Sequence, residues 1–275
     1  MKEKVTGGRI FMLILLFFLA VLVGYPFLWM IFTSFKAEAD IMSFPPSLFG
    51  KTYSLAAYQS IWSRIPFLPY YRNSLFFAGG VTLFSLTFDT MAGYSFARLN
   101  FRGKNILFIL VLSTLMIPFQ VVMIPLYTEL YKMNLINTYA GLILPRATNA
   151  FGIFMMRQFF ISLPRDLEEA ARIDGCSEFR IYWNIMLPLC KPAIVTLAIF
   201  HFMYNWNDLL YPLVLTTSDE MKTLPAGLAM FMGTHVIEYA VLMAGGCLSL
   251  LPIFLAYCCA QKQFVQGIAM TGIKD

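Results

Sequence analysis

Four ionisable residues stand in otherwise apolar runs of this 275-residue chain: Asp89, Arg146, His201 and Asp208. A charge inside an apolar run is costly unless it faces a water-filled path or a partner group. Such residues point to the passage of a polar solute, with structural hydrogen bonding as the alternative for each. Asn205, Trp206, Asn207 and Asp208 form the tightest polar cluster and are the candidates for lining a path. The same cluster leaves open what Asp89, Arg146 and His201 do. Bond-making chemistry finds no support. There are two histidines, His201 and His235, and five cysteines (Cys176, Cys190, Cys247, Cys258, Cys259) without metal-ligand spacing. Gly103-Lys104 lacks the upstream glycine of a phosphate-cradling loop. No catalytic, cofactor-binding or metal-binding set emerges.

A second chemistry-bearing stretch runs from Pro164 to Pro188 and is polar between apolar neighbours. Glu168 to Arg172 favour helix. Asp166 and Glu169 are spaced as a capping box, with carboxylates near the positive end of the dipole. Gly175 is a natural helix stop, because it takes a left-handed cap without penalty. Phe179, Tyr182, Trp183 and Met186 then recur at helical spacing and predict one large apolar stripe on a second helix. Pro188 ends or redirects it. A helix, a bend and an aromatic-faced helix between two apolar runs make a shape suited to docking into a partner.

The elements that must position these residues are membrane spans. The chain is 59% hydrophobic and only 13% charged, too apolar for a soluble domain of this size. Crossing a hydrocarbon core takes roughly 20 apolar residues. Six runs qualify, at about 10–33, 73–97, 105–130, 137–160, 189–215 and 240–261. Residues 34–72 read as a long external loop with interfacial aromatics, and Leu224–Leu228 as the start of a short helix. Pro118, Pro125, Pro145, Pro192 and Pro212 lie within spans, where broken helices are tolerated only if neighbours or water satisfy the freed backbone groups. The first run follows Lys2, Lys4 and Arg9 and reads as an uncleaved span.

Basic residues set the orientation. With both termini inside, thirteen Lys and Arg fall on the cytoplasmic side (Lys2, Lys4, Arg9, Arg98, Arg102, Lys104, Arg157, Arg165, Arg172, Arg180, Lys191, Lys262, Lys274). Six fall outside, and Arg146 remains in a span. The positive-inside rule then places the 164–188 loop in the cytoplasm.

The spacing of that loop carries a resemblance. Glu169-Ala170-Ala171, three residues, Gly175, nine residues, then Ile185-Met186-Leu187-Pro188 resembles the EAA loop of ABC importer permeases. Met91 to Leu99, with Phe101 to Lys104, resembles that family's second-span exit, while Asn205-Trp206-Asn207-Asp208 with Tyr211-Pro212-Leu213, Thr223 to Leu228 and Gln263 to Gly267 resemble the MalG-like branch that serves carbohydrate importers. The tail Ala269-Met270-Thr271-Gly272-Ile273-Lys274-Asp275 departs from that branch's usual ending.

The resemblance implies an all-α membrane protein with six transmembrane helices and cytoplasmic coupling helices, the type I ABC importer permease fold. It divides the chain into an N-terminal helix and external loop at 1–69, a permease core at 70–262 and a cytoplasmic tail at 263–275. It implies a multi-pass subunit of a bacterial or archaeal cytoplasmic membrane that moves a sugar or sugar derivative. The implied partners are a second homologous permease, two ATPase subunits, an external solute-binding protein and membrane lipid, with no nucleic acid. ATP and Mg would sit in the ATPase subunits. ATPase coupling is carried over to Glu169, Ala170, Ala171, Asp174, Gly175, Phe179, Ile185, Leu187 and Pro188. The competing class is a self-sufficient secondary transporter or channel, which leaves the 164–188 loop unexplained. Within the family, the rival is an importer of a peptide or an anion.

Overall fold

The computed structural model describes residues 7–232 and 237–272, with side chains through 261 apart from 256, 259 and 260. His235, Lys2, Lys4 and Lys274 lie outside the described residues, as do the side chains of Cys259, Lys262 and the tail. The helices are α1 (Gly7–Ser34), α2 (Glu38–Ile41), α3 (Ala56–Arg64), α4 (Phe67–Arg98), α5 (Lys104–Ser113), α6 (Phe119–Lys132), α7 (Tyr139–Ile143) and α8 (Ala150–Ser162). They continue with α9 (Asp166–Ile173), α10 (Glu178–Ile181), α11 (Leu187–Leu189), α12 (Lys191–Trp206), α13 (Leu210–Leu215), α14 (Leu224–Leu228) and α15 (Tyr239–Gly272). A π-helical turn, Tyr182–Met186, joins α10 to α11. No extended strand occurs among the described residues, so the fold is all-α, as expected.

The spans are less regular than six straight helices. Among the described residues, α1 and α4 alone are long and apolar enough to cross a membrane unaided. Two more crossings arise only if bent pairs count as one span: Lys104–Met116 with Phe119–Lys132, bent by 100°, and Glu178–Leu189 with Lys191–Trp206, bent by 80°. The expected runs near 137–160 and 240–261 hold shorter apolar helices, Ala150–Ser162 and Tyr239–Leu255. Proline explains the bends. Pro118 lacks a backbone N–H and pushes Ile117 into the extended region (φ −90°, ψ 112°), so α5 cannot run on into α6. Pro188 and Pro192 flank the break at Cys190, each at the first turn of a helix, where the missing N–H does no harm.

The residues group into two compact units. One comprises residues up to Phe67 with Leu228–Leu251, and the other Leu68–Gly227 with the rest of α15. In the first, α1 is apolar and exposed along most of its length, as suits contact with lipid. The expected loop at 34–72 is partly helical. There the Glu38 carboxylate accepts from the amides of Tyr239 and Ala240 (2.9 and 3.1 Å), which gives α15 an anionic N-terminal cap. Arg64 pairs with Glu238 at 2.5 Å.

The second unit carries both candidate sites, on two apolar clusters. One packs Tyr94 of α4, Met156 and Phe160 of α8, and Leu197 of α12 against Ala171, Ile181, Tyr182 and Met186. The other packs Phe77 and Val81 of α4 with Leu142, Tyr211 and Leu215. Close approach of α4 and α8 depends on Gly152, since a Cβ there would collide with the Asp89 carboxylate. Small residues at such crossings let membrane helices touch.

Candidate functional site

The intramembrane charges form one network. Asp89, on α4 and fully buried, has both carboxylate oxygens occupied. Oδ1 accepts from the Thr148 hydroxyl (2.7 Å) and the Asn149 amide (2.9 Å), and Oδ2 lies 3.0 Å from His201 Nε2 on α12. One turn along α12, Asn205 donates through Nδ2 to the His201 carbonyl at 2.8 Å. Its Oδ1 accepts from Arg146 Nη1 at 2.9 Å. Arg146 Nη2 then meets Asp208 Oδ2 at 2.6 Å. The guanidinium also lies 3.8 Å from the Tyr211 ring centroid and 5.3 Å from that of Tyr204, within cation–π range. Each charge therefore has a counter-charge or several hydrogen bonds, which is the condition for keeping ionisable groups out of water.

The four sequence candidates are engaged unequally. Asn205 is buried and spends both ends of its amide inside the chain. Trp206 is buried against Phe202, with ring planes 17° apart, and packs edge-on to Tyr71. Asp208 neutralises Arg146 and accepts from the Tyr211 amide, in the first turn of α13, at 3.1 Å. Asn207 is exposed and donates to the Met203 carbonyl at 3.0 Å. Sequence reasoning did not join Asp89 to His201 or Arg146 to Asp208. Local spacing cannot reveal such pairs, because each joins different helices. Asn149 was visible in principle as a polar residue just before an apolar helix, and its Oδ1 does accept from the Phe151 amide at 2.8 Å as an N-cap.

The 164–188 stretch is a two-helix unit with a sharp corner. Helix α9 begins at Asp166, with Arg165 at the N-cap and no side-chain cap bond, so the expected capping box does not form. The acidic residues Asp166, Glu168 and Glu169 still occupy the first turn, where they favour the helix dipole. Gly175, at φ +80°, makes the corner. The Cys176 amide donates to the Ala171 carbonyl and the Gly175 amide to that of Arg172, both at 3.0 Å, the two bonds of a Schellman cap. Ser177 caps the next helix through the Arg180 amide. Arg172 Nε donates to Glu178 Oε1 at 2.7 Å across the corner.

The expected single stripe divides into two faces. Tyr182 and Met186 are 4% and 0% exposed and anchor the unit in the apolar cluster, while Phe179 and Trp183 are 64% and 55% exposed. Their rings stack on each other with planes 14° apart. The buried face takes Ala171 with them, and Ile185 and Leu187 pack at its edge. Glu169, Ala170, Asp174, Gly175 and Pro188 are exposed.

Beneath α9, Glu168 and Arg98 form an ion pair at 3.4 Å, with only 3% of each side chain accessible. Arg98 Nη2 also donates to the Leu163 carbonyl at 2.6 Å. Burial pushes the Glu168 carboxyl above its ordinary value, and the Arg98 and Arg172 guanidinium groups only partly offset this. The sequence reading singled out the neighbouring Glu169 and missed this pair. Both residues lay inside the motifs it quoted, but nothing local marked them as partners. Among the described residues, no group of three or more His, Cys, Asp or Glu could hold a metal ion.

This geometry has known counterparts. The model of the binding-protein-dependent transport system inner membrane component family matches residues 89–269. The arabinooligosaccharides transport system permease protein AraQ of Halalkalibacterium halodurans is 35% identical over 282 residues, covering 100% of both chains. The trehalose/maltose transport system permease protein MalG of Thermococcus litoralis is 31% identical, over 100% of this chain and 99% of that one. Among solved structures, a chain of a bacterial ABC transporter involved in the import of the acidic polysaccharide alginate superposes with a TM-score of 0.80 at 25% identity. It covers 96% of this chain and 100% of its own.

Proposed function

The chain belongs to the binding-protein-dependent transport system inner membrane component family, the permeases of ABC importers, and from that premise we propose that it imports a sugar or sugar derivative as one half of a two-permease path. Relatives whose names specify arabinooligosaccharides and trehalose/maltose support the sugar reading. In this reading residues 70–262 are the transport core, both termini are cytoplasmic and the tail from 263 reaches towards the ATPases. The partners are a second homologous permease, two ATPase subunits that bind ATP and Mg, and an external solute-binding protein.

The observation that carries the proposal is the division of faces on the 164–188 unit. Tyr182, Met186 and Ala171 root it in α4, α8 and α12, while Phe179 and Trp183 stand out as a stacked aromatic pair. A rooted unit with an exposed anchor transmits displacement as a lever. Exposed, adjacent aromatics are the residue types that dominate docking energy. When ATP closes the ATPase pair, the unit follows, and the spans it is rooted in rock to open the path outward. Such coupling requires the unit to bind one ATPase arrangement better than the other, since a partner shifts an equilibrium only by its differential affinity. Glu169, Ala170, Asp174 and Gly175 supply the exposed polar and small surface beside the anchor, and Ile185, Leu187 and Pro188 set the exit of the second helix.

The test is co-purification in mild detergent from cells that carry the whole transport system. Recovery of the chain with a P-loop ATPase and a second EAA-bearing permease is the expected result. Phe179→Ala with Trp183→Ala should lose the ATPase while keeping the second permease. A chain that comes out alone and moves solute in ATP-free liposomes is a secondary transporter.

A further inference from the structure

Beside the Asp89–His201 pair lies a cavity of 310 Å³ lined by Leu115, Asn149, Phe151, Phe200, His201 and Tyr204. Its volume is at the lower end of the range typical of small-molecule sites. Three polar atoms of its lining have no partner among the described residues. Asn149 spends Oδ1 on the α8 cap and leaves its amide nitrogen unused. His201 spends Nε2 on Asp89 and leaves Nδ1. The Tyr204 hydroxyl is unused, and its residue is 62% exposed. Flat apolar faces stand beside these atoms, with the rings of Phe151 and Phe200 meeting edge-on at 6.1 Å.

We propose that this cavity is a solute-contacting site within this subunit, and that it takes an uncharged sugar ring. Hydroxyl groups of a pyranose or furanose match the unspent donors and acceptors of Asn149, His201 and Tyr204, and its C–H face matches the aromatic rings. The uncharged class follows from the charges behind the wall. Asp89 is fully occupied by Thr148, Asn149 and His201. Arg146, whose guanidinium lies beside the Tyr204 ring, is matched by Asp208. Among the described residues of this wall no unpaired positive charge is left to hold a carboxylate or sulfate, and an acidic sugar would enter without a counter-charge. The comparisons leave this point open, because they include transporters named for neutral sugars and one for acidic alginate. The site rests on the sugar-importer reading and deepens it.

The experiment uses the complete transporter with its binding protein in ATP-loaded proteoliposomes, with radiolabelled arabinotriose, maltose and trehalose as probes and oligogalacturonate as the acidic arm. Tyr204→Phe removes only the hydroxyl, and Asn149→Ser removes the amide while keeping a capping oxygen. Each should raise the KM for the imported neutral sugar by about three- to tenfold, the scale of one neutral hydrogen bond, and more than it lowers the maximal rate. Affinity of the separate binding protein for the sugar serves as the reference that the variants do not touch. An unchanged KM in both variants, with the complex recovered intact, overturns the site and leaves the importer reading standing. Uptake of oligogalacturonate equal to that of the neutral sugars overturns the uncharged class.

Discussion

Arg146 Nη2 lies 2.6 Å from Asp208 Oδ2, with the guanidinium 3.8 Å from the Tyr211 ring centroid. The two residues come from segments on either side of α8–α12, so the pair fastens the start of α8 to the end of α12. Both side chains are 15% accessible. Losing either partner strands a desolvated charge, which costs about 3–5 kcal/mol. Asp208→Asn and Arg146→Met should each lower the thermal midpoint of the purified complex. The double variant should be less destabilised than the sum of the two, because it leaves no orphan. Additive single effects would mean that the pair is not coupled.

Gly152 lets α8 pass against Asp89. Gly152→Ala places a methyl group on the carboxylate, and either the helices separate or Asp89 gives up its partners. Overpacking of this kind costs about 1–3 kcal/mol. The variant should lose thermal stability and, by weakening the His201 contact, also lose sugar uptake. Wild-type stability in Gly152→Ala would show that the two helices do not meet as described.

Gly175 holds a left-handed backbone at φ +80° that an L-residue adopts only under strain, and proline cannot adopt it at all. Gly175→Pro should break both Schellman bonds and turn the second helix of the unit away from the first. Ala171→Leu should push the buried face outward. Both variants should insert and assemble with the second permease while ATP hydrolysis in the complex no longer drives uptake. Unaltered coupling in both would remove the corner from the mechanism.

Glu168 gives a pH signature. Burial raises its folded pKa above the ordinary carboxylate value. A raised folded pKa stabilises fully below the ordinary value and loses that contribution as pH rises through the folded one. The wild-type unit should therefore resist proteolysis within 164–175 better on the acid side, relative to Glu168→Gln, which has no proton to lose. The wild type should lose ground to the variant as pH rises through the folded pKa. A difference independent of pH would assign Glu168 a purely steric role.

Much of this protein was legible in one dimension. Its membrane class follows from composition, because apolar runs of span length have no other stable environment. The Gly175 corner was legible because a helix stop is encoded in a few adjacent residues, and the residues of the Glu169–Pro188 spacing do fold as one two-helix unit. The short helix at Leu224–Leu228 was legible for the same reason.

Other features depend on how distant helices meet. The stripe of Phe179, Tyr182, Trp183 and Met186 reads as one face at ideal spacing. The π turn at Tyr182–Met186 and the cluster beneath it decide that two of these residues are buried and two stand free. The capping box at Asp166 was expected from spacing, but helix α9 begins one residue before that pattern requires. The runs read as single spans near Pro118 and Cys190 are bent by 100° and 80°, because proline fixes where a helix stops while packing decides in which direction it resumes.

The pairings of Asp89 with His201, Arg146 with Asp208 and Arg98 with Glu168 had no sequence signature. The sequence by itself determined that these charges exist and are too costly to leave alone. Only the tertiary structure decided which one compensates which, because each bond joins side chains whose distance is set by the crossing of separate helices rather than by their separation along the chain.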